Sequence, residues 1–245
     1  MTFKAFIFGL LATFGLPWLV AVVIPFSTMR SLDPVRFEDG SKFEGVFMPK
    51  RDGRINEGSK IYGQQGCATC HTQLIRPTYA GNDVHRDEWA GLRKSAGNPD
   101  TRRETLAMDY DDEDVAHIGM SRVGPDLSNL GRRLDQHLAG TGLSPEDWLL
   151  GHLYNPRGIK NYRKGSTFIP SRSSCPSKMG LFKETTAANA KGVALPVEIE
   201  DGKAIVPGDK ARILASYLAS LKKDTLGQPL PEALNYNPQA PTEEN

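Results

Sequence analysis

The residues with the clearest chemistry in this sequence are two cysteines three positions apart, Cys67 and Cys70, followed directly by His71. On one helical turn, two such thiols can form thioethers with the two vinyl groups of a porphyrin, and the adjacent histidine then reaches the iron. A zinc site would need a second pair of ligands at suitable spacing, and a thioredoxin-like dithiol would need a βαβ context. The sequence offers neither, so the pattern predicts a single, covalently attached haem c.

A long apolar segment at the N-terminus predicts a membrane anchor. No charged residue occurs between Lys4 and Arg30, and a helix of this length, at about 1.5 Å per residue, exceeds a hydrocarbon core of about 30 Å. A cleaved signal peptide is the alternative, but its apolar region normally runs about 7–15 residues, and no A-x-A site ends this one. We therefore expect residues 1–30 to form one uncleaved transmembrane helix.

The rest of the chain predicts a mainly helical domain with long loops. A net charge of +1 over 245 residues does not suggest a nucleic-acid binder. We place a linker at 31–53, the haem domain at 54–224 and an extended tail at 225–245. Within the domain, residues 79–121 lack clear periodicity. The acidic run 109–115 in this excursion is expected to be solvated; a docking patch for a basic electron carrier or a cation site is the alternative.

Local signals predict the elements of the domain. A short helix is expected over Ile55–Gly66, and Ser144-Pro145 and Asn155-Pro156 are typical of the start and the stop of another. A hairpin is expected about Asp201-Gly202, after a mostly irregular stretch from 158 to 190. The closing helix has one apolar face, formed by Ile213, Leu214, Tyr217, Leu218 and Leu221.

The histidines outside the motif have ordinary interpretations. His85, His117 and His137 lie in polar segments and are expected to be solvated. His152, on a helix face, is expected to be a hydrogen-bonded structural residue. Nearby Trp148 is expected to pack in a haem pocket or in the core.

The layout resembles small class-I-type cytochromes c, which place the attachment motif after a first helix and a glycine-proline segment beside the histidine. The segment "GPDLSNLGRR", Gly124–Arg133, corresponds to the second feature. In that family the proline carbonyl accepts a hydrogen bond from the ligand histidine, and Pro125 is the matching residue. Such a bond fixes the imidazole tautomer and tunes the iron. Leu127, in the same segment, is expected to pack against the haem.

Three blocks narrow the resemblance: "CATCHTQLIRP", "SRVGPDLSNLGRR" and "DWLLGHLYNPR". They resemble the membrane-anchored monohaem cytochrome c subunit of cbb(3)-type haem–copper oxidases. The resemblance implies electron relay from a cytochrome donor to the catalytic haem–copper subunit, alongside other cytochrome c subunits. It also implies an anchor in the bacterial inner membrane with the haem domain on the periplasmic side. No copper ligands or oxygen pocket are evident, so we expect no active site in this chain.

The sixth iron ligand is where the sequence departs most from that family. The family places methionine in a Ser-x-Met-Pro segment; here that register puts Cys175 at the methionine position, with Met179 four residues later and Ile169 in an earlier match. Methionine–histidine ligation raises the reduction potential, as delivery to an oxygen-reducing centre requires, whereas a thiolate stabilises ferric iron. We therefore expect Met179, with Cys175 as the alternative, ahead of Met108, Met120, a histidine or an open site.

Three arginines in the same blocks, Arg76, Arg122 and Arg157, are candidate partners of the haem propionates, because guanidinium groups pair with carboxylates in a bidentate manner. Ordinary ion pairing with the protein's own carboxylates is the alternative for each.

Two other functions remain as alternatives. One is a cytochrome subunit of a nitric-oxide reductase or of an alternative quinol-oxidising complex, against which the segment Gln73–Pro77 argues. The other is a haem-based gas sensor or small peroxidase, which predicts an iron with no sixth protein ligand.

Overall fold

The computed structural model describes residues 2–30, 53–86, 89–93, 100–110, 113–157, 173–190, 194–195 and 202–225. The chain divides into two compact units, 1–47 and 48–245. The predicted linker 31–53 lies outside the described residues except at position 53, and the predicted tail lies outside them except at Thr225.

The described part of the N-terminal unit is a helix of 28 residues, Phe3–Arg30, which is long and apolar enough to span a membrane. It comprises α1 (Phe3–Leu10), α2 (Leu16–Trp18) and α3 (Ile24–Arg30), joined by π-helical turns at Leu11–Gly15 and Leu19–Val23. Each π turn precedes a proline, Pro17 or Pro25. Proline has no N–H and its ring displaces the carbonyl four residues earlier, so the wider turns fall where the α-helical ladder cannot continue.

The described residues of the second unit form four α-helices: α4 (Gly53–Gln64), α5 (Leu130–His137), α6 (Pro145–Tyr154) and α7 (Asp209–Ala219). The predicted limits of α6 are confirmed, since the Ser144 hydroxyl accepts a hydrogen bond from Asp147 N at 3.1 Å and the helix ends before Asn155. The sequence did not predict α5, which begins inside the glycine-proline segment.

Helix α7 lies at the centre of this unit and packs against α4, α5 and α6. Most of its predicted apolar face is buried: Leu214 and Tyr217 are fully enclosed, as is Leu221 just after the helix, whereas Ile213 is half-buried. Gly58 of α4 allows the closest approach, because a Cβ there would lie 2.8 Å from Ile213 O. The same core includes Ile61, Tyr62, Leu127, Leu134, Leu149, Leu150 and Leu153.

A two-stranded antiparallel sheet completes the unit. Strand β1 (Phe182–Thr186) pairs with β2 (Lys203–Pro207), with Phe182 opposite Pro207 and Thr186 opposite Lys203. The predicted second strand is therefore present, but β1 lies in a stretch that was predicted to be irregular. Residues 197–200, the partner suggested by the sequence, lie outside the described residues.

Residues of the 79–121 excursion contribute to a second apolar cluster and to buried ion pairs. Ile75, Val84, Trp89 and Ala90 form this cluster. The prediction that the acidic run is solvated is wrong for Asp109, which is 2% exposed and paired with Arg103. Local sequence did not indicate this burial. Glu113 of the run also pairs with the distant Lys223, and Arg103, the partner of Asp109, donates to the backbone oxygen of Asp224.

Candidate functional site

The two cysteines lie on one tight turn directly after α4. Cys67–Thr69 form a 3-10 turn that follows Gly66, whose φ of +71° reverses the chain direction. Cys70 N donates to Cys67 O at 3.2 Å, and His71 N donates to the same oxygen at 3.0 Å. Both thiols are free and half-buried. Cys67, Cys70 and His71 therefore lie within five residues on and directly after one tight turn.

The His71 ring is oriented by the glycine-proline segment. Its Nδ1 lies 2.8 Å from Pro125 O, so the contact predicted from the sequence is present. A proline carbonyl can only accept a hydrogen bond, so Nδ1 must carry the proton and a neutral ring keeps its lone pair on Nε2. That is the tautomer that can ligate a metal through Nε2.

Glycine is required on the face of this ring. A Cβ at Gly124 would lie within 2.6 Å of His71 Nδ1, so the backbone of the segment lies directly against the imidazole. Gly119 is also required by close packing, since a Cβ there would lie 2.6 Å from Thr72 Cα and its φ is +92°. Larger side chains at these positions would displace His71.

Asp126 ties the motif to the glycine-proline segment. Its side chain accepts hydrogen bonds from Thr72 Oγ1 at 2.6 Å and from Leu74 N at 2.8 Å, and it is 0% exposed. Leu127, predicted to pack against a haem, is buried in the main core, and its N donates to Thr72 O at 2.8 Å. Sequence reasoning missed Asp126, although a carboxylate directly after the proline was visible.

Gln73, two residues after the histidine, has a structural role in this unit. Its side chain is 0% exposed, and Nε2 lies 2.9 Å from the Tyr217 hydroxyl on α7. Its backbone oxygen accepts a hydrogen bond from the Tyr110 hydroxyl of the excursion. Gln73 therefore joins the motif to two distant regions of the unit.

Arg76 and Arg122 share one carboxylate, Asp83. Arg76 donates through Nε at 3.0 Å and Nη2 at 2.9 Å, and Arg122 donates through Nη1 at 2.9 Å. Burial raises the pKa of Asp83, but these hydrogen bonds outweigh burial and hold it well below its ordinary value. Both arginines thus form ion pairs with a carboxylate of the protein itself. The haem propionate role expected for Arg76 and Arg122 stays a prediction.

The candidates for a sixth ligand lie on the segment 173–181. Met179 begins a short 3-10 turn, Met179–Leu181, and its side chain is 53% exposed. Cys175 is half-buried; burial raises the pKa of its thiol, with Lys178 acting in the opposite direction and Cys70 adding to the rise. Cys175 is thus within electrostatic range of the motif. Ile169 lies outside the described residues.

Arg157, the third candidate propionate partner, also has partners within the protein. Its Nη1 donates to Ser173 O at 3.1 Å and to Cys175 O at 3.3 Å. Lys178 Nζ in turn donates to Gln65 O at 2.8 Å, just before the motif. These contacts hold the 173–181 segment beside the Cys67–Cys70 turn.

The histidines outside the motif differ from one another. His85 and His137 are exposed, as predicted. The prediction for His117 is wrong: it is buried, and its Nε2 lies 2.9 Å from Ser59 O and 3.0 Å from Ser59 Oγ. The α4 residue that receives it is 58 positions away, so no local pattern indicated burial. His152 is half-buried and stacks on Trp148.

The donor set fits a covalent haem c better than a metal held by clustered side chains. Within the described ranges, no group of three or more histidine, cysteine or acidic side chains could hold a metal ion. The motif instead offers two free thiols on one turn and an imidazole oriented from behind, with Nε2 as the unprotonated nitrogen. Cys67, Cys70 and His71 would hold the group, with Pro125 as the partner of His71. No protein-family model and no curated protein matches the sequence.

Proposed function

We propose that this chain is a membrane-anchored monohaem cytochrome c that transfers electrons within a respiratory complex. The observation that carries the proposal is the 2.8 Å contact between His71 Nδ1 and Pro125 O, directly behind the Cys67–Cys70 turn. It leaves Nε2 as the ligating nitrogen of a residue adjacent to two free thiols. A bound haem c supplies a one-electron Fe(II)/Fe(III) couple. The helix Phe3–Arg30 would hold the domain at a membrane.

The complex we assign is a cbb(3)-type terminal oxidase, in which this chain would relay electrons from a cytochrome donor to the catalytic haem–copper subunit. The assignment rests on the three sequence blocks and places the haem domain on the periplasmic side of the bacterial inner membrane. Their internal contacts support treating two of the blocks as one structural unit. Thr72 and Leu74 of the first block both bond Asp126 of the second.

Covalent haem is the first test, and the third cysteine supplies a matched control. The full chain, produced with a cytochrome c maturation system and purified in detergent, is expected to show one haem c by haemochrome spectrum and to retain it on a denaturing gel. Cys67→Ala combined with Cys70→Ala should abolish retention, whereas Cys175→Ala should leave it intact. A wild-type chain without covalent haem would refute the proposal.

The identity of the sixth ligand is the second test. If Met179 ligates the iron, Met179→Ala will remove the methionine–iron charge-transfer band and lower the reduction potential, while Cys175→Ala will change neither. The reverse pattern identifies Cys175. A high-spin wild-type spectrum with carbon monoxide binding to the ferrous protein would instead support a gas sensor or peroxidase.

Membership of the complex is the third test. Affinity-purified full-length chain from native membranes is expected to bring with it a haem–copper subunit and oxidase activity. In the purified complex, reduction of this haem should precede reduction of the catalytic subunit when electrons enter from a reduced cytochrome. Co-purification with a nitric-oxide reductase or a quinol-oxidising complex instead would keep the cytochrome assignment and overturn the oxidase assignment.

A further inference from the structure

His152 lies in a fixed position on α6, one helical turn after Trp148. The two rings are stacked, with centroids 5.0 Å apart and an angle of 11° between their planes. Residues at i and i+4 share a helix face, so this stacking holds the imidazole in one orientation. The neighbours Leu149 and Leu153 are buried in the main core. Packing therefore places its ring.

The ring nitrogen Nδ1 of His152 is buried and makes no hydrogen bond with the described residues of the chain. Leaving such a group without a partner costs about 1–3 kcal/mol. Buried polar atoms in native proteins nearly always have a partner, supplied by the protein, by water or by a ligand. An unpartnered nitrogen on a ring fixed by packing thus indicates a partner beyond the described residues, and a bound group that brings its own acceptor would supply one.

His152 lies near the motif, because Trp148, on which it stacks, packs against the same apolar core as Cys67 and Ala68. Burial, and then the nearby His71, lower the pKa of His152 to about 4. The ring is therefore neutral at neutral pH and presents one N–H donor. Nδ1 is bonded directly to Cγ, so a metal bound there would lie close to the backbone of α6. The position suits a hydrogen bond better than iron ligation.

We propose that His152 donates a hydrogen bond to an acceptor inside the haem pocket, and thereby raises the reduction potential without ligating the iron. This inference rests on the proposed function, because the acceptor arrives with the haem or with its sixth ligand. The acceptor is a propionate carboxylate or the axial sulfur. An axial sulfur that accepts a hydrogen bond donates less electron density to the iron. A propionate that accepts one carries less effective negative charge near the iron. Both effects favour the reduced state.

The test is a redox titration of the full-length, haem-loaded protein carrying His152→Phe or His152→Gln. Phenylalanine keeps a planar ring for stacking on Trp148 but has no donor, and glutamine restores an N–H. His152→Phe should shift the reduction equilibrium toward the oxidised state about tenfold, a fall of about 59 mV for one electron. His152→Gln should recover most of the loss. His137→Gln, at an exposed site at the end of α5, is the control and should leave the potential unchanged.

Each outcome decides the matter. An unchanged potential in His152→Phe overturns the proposal, and so does a high-spin, carbon-monoxide-binding haem in that variant, because His152 would then be the axial ligand. If His152→Phe does not load haem, His152→Gln decides: a potential near wild type supports the hydrogen bond, and failure to load haem shows a purely structural role. Absence of covalent haem in the wild type would be a failure of the proposed function instead.

Combining variants identifies the acceptor. If the acceptor is the axial sulfur, the effect of His152→Phe should disappear in whichever of Met179→Ala or Cys175→Ala removes the sixth ligand. If the acceptor is a propionate, the effect should persist in both backgrounds, because the carboxylate remains.

Discussion

Two regions beside the Cys67–Cys70 motif are built very differently: the polypeptide around His71 and the segment 173–181. The first, which we call the motif frame, comprises residues 71–76 and 122–129. It is held by buried carboxylates, Asp83 and Asp126, each with several partners, and by Gln73, which is fully enclosed. The second carries an exposed methionine at position 179 and is held chiefly by hydrogen bonds to backbone oxygens. The region that orients His71 therefore has more buried side-chain contacts than the segment that carries Met179.

The largest expected loss of stability is for a substitution at Gly124 in the motif frame, compared with the same substitution at Gly180 in the segment 173–181. Gly124→Ala should destabilise the domain by about 3 kcal/mol or more, because the new Cβ would overlap the His71 ring and break its contact with Pro125. Gly180→Ala is the matched control, since a Cβ there meets no described heavy atom within 4 Å and should change the unfolding free energy by less than about 0.5 kcal/mol. Urea unfolding followed by circular dichroism measures both. Equal effects would contradict the comparison.

The shared carboxylate gives the next largest effect. Asp83→Asn should cost about 2–3 kcal/mol, because two arginines lose their charged acceptor, although Arg76 is partly solvated. The folded pKa of Asp83 lies below its ordinary value of 3.8, so the contribution is complete above that pH and is lost as the pH falls below it. Acid unfolding of the wild type should therefore show this loss, and Asp83→Asn should be less sensitive to pH in that window. A variant with wild-type stability at pH 7 would show that the ion pairs contribute nothing net.

A single hydrogen bond in the motif frame gives a smaller effect. Tyr217→Phe removes the hydroxyl that meets Gln73 Nε2 at 2.9 Å and should cost about 1 kcal/mol by denaturant unfolding. Tyr79→Phe, at a site 91% exposed, removes the same group from the surface and should be neutral. If both variants unfold like the wild type, Gln73 is not a stabilising link between the motif and α7.

The smallest effect is expected in the sheet that follows the 173–181 segment. Glu184 and Lys203 form an ion pair at 3.0 Å with about half of each side chain exposed. Glu184→Gln should change the unfolding free energy by less than about 0.5 kcal/mol, and the difference should shrink further at high salt. A cost comparable to that of Asp83→Asn would remove the distinction between the two regions.

The sequence predicted those helices whose limits and apolar faces depend on neighbouring residues. Ser144-Pro145 and Asn155-Pro156 defined α6 because capping and proline geometry act within one turn. The apolar face of α7 was visible because its period matches a helix. The segment Gln73–Pro77 drew attention in the sequence, but the contacts of Gln73 with Tyr217 and of Leu74 with Asp126 were not predicted.

Burial created by distant partners was not predictable in the same way. Asp109 looked like a member of a solvated acidic run, but it pairs with Arg103, which in turn donates to the backbone oxygen of the distant Asp224. His117 is buried by Ser59, 58 residues earlier, and Arg122 meets Asp83 across 39 residues. β1 was missed because its pairing with β2 spans residues whose sequence has no strand pattern of its own.

The contact between Gln73 and Tyr217 has a consequence for the order of events during synthesis. It joins residues 144 positions apart, so the motif leaves the ribosome long before the helix that completes its surroundings. Contacts of such high separation close late in folding, since the intervening loop must be ordered first. The Cys67–Cys70 turn should therefore be accessible to modifying enzymes until α7 has been synthesised, and the motif frame should close only when α7 has docked.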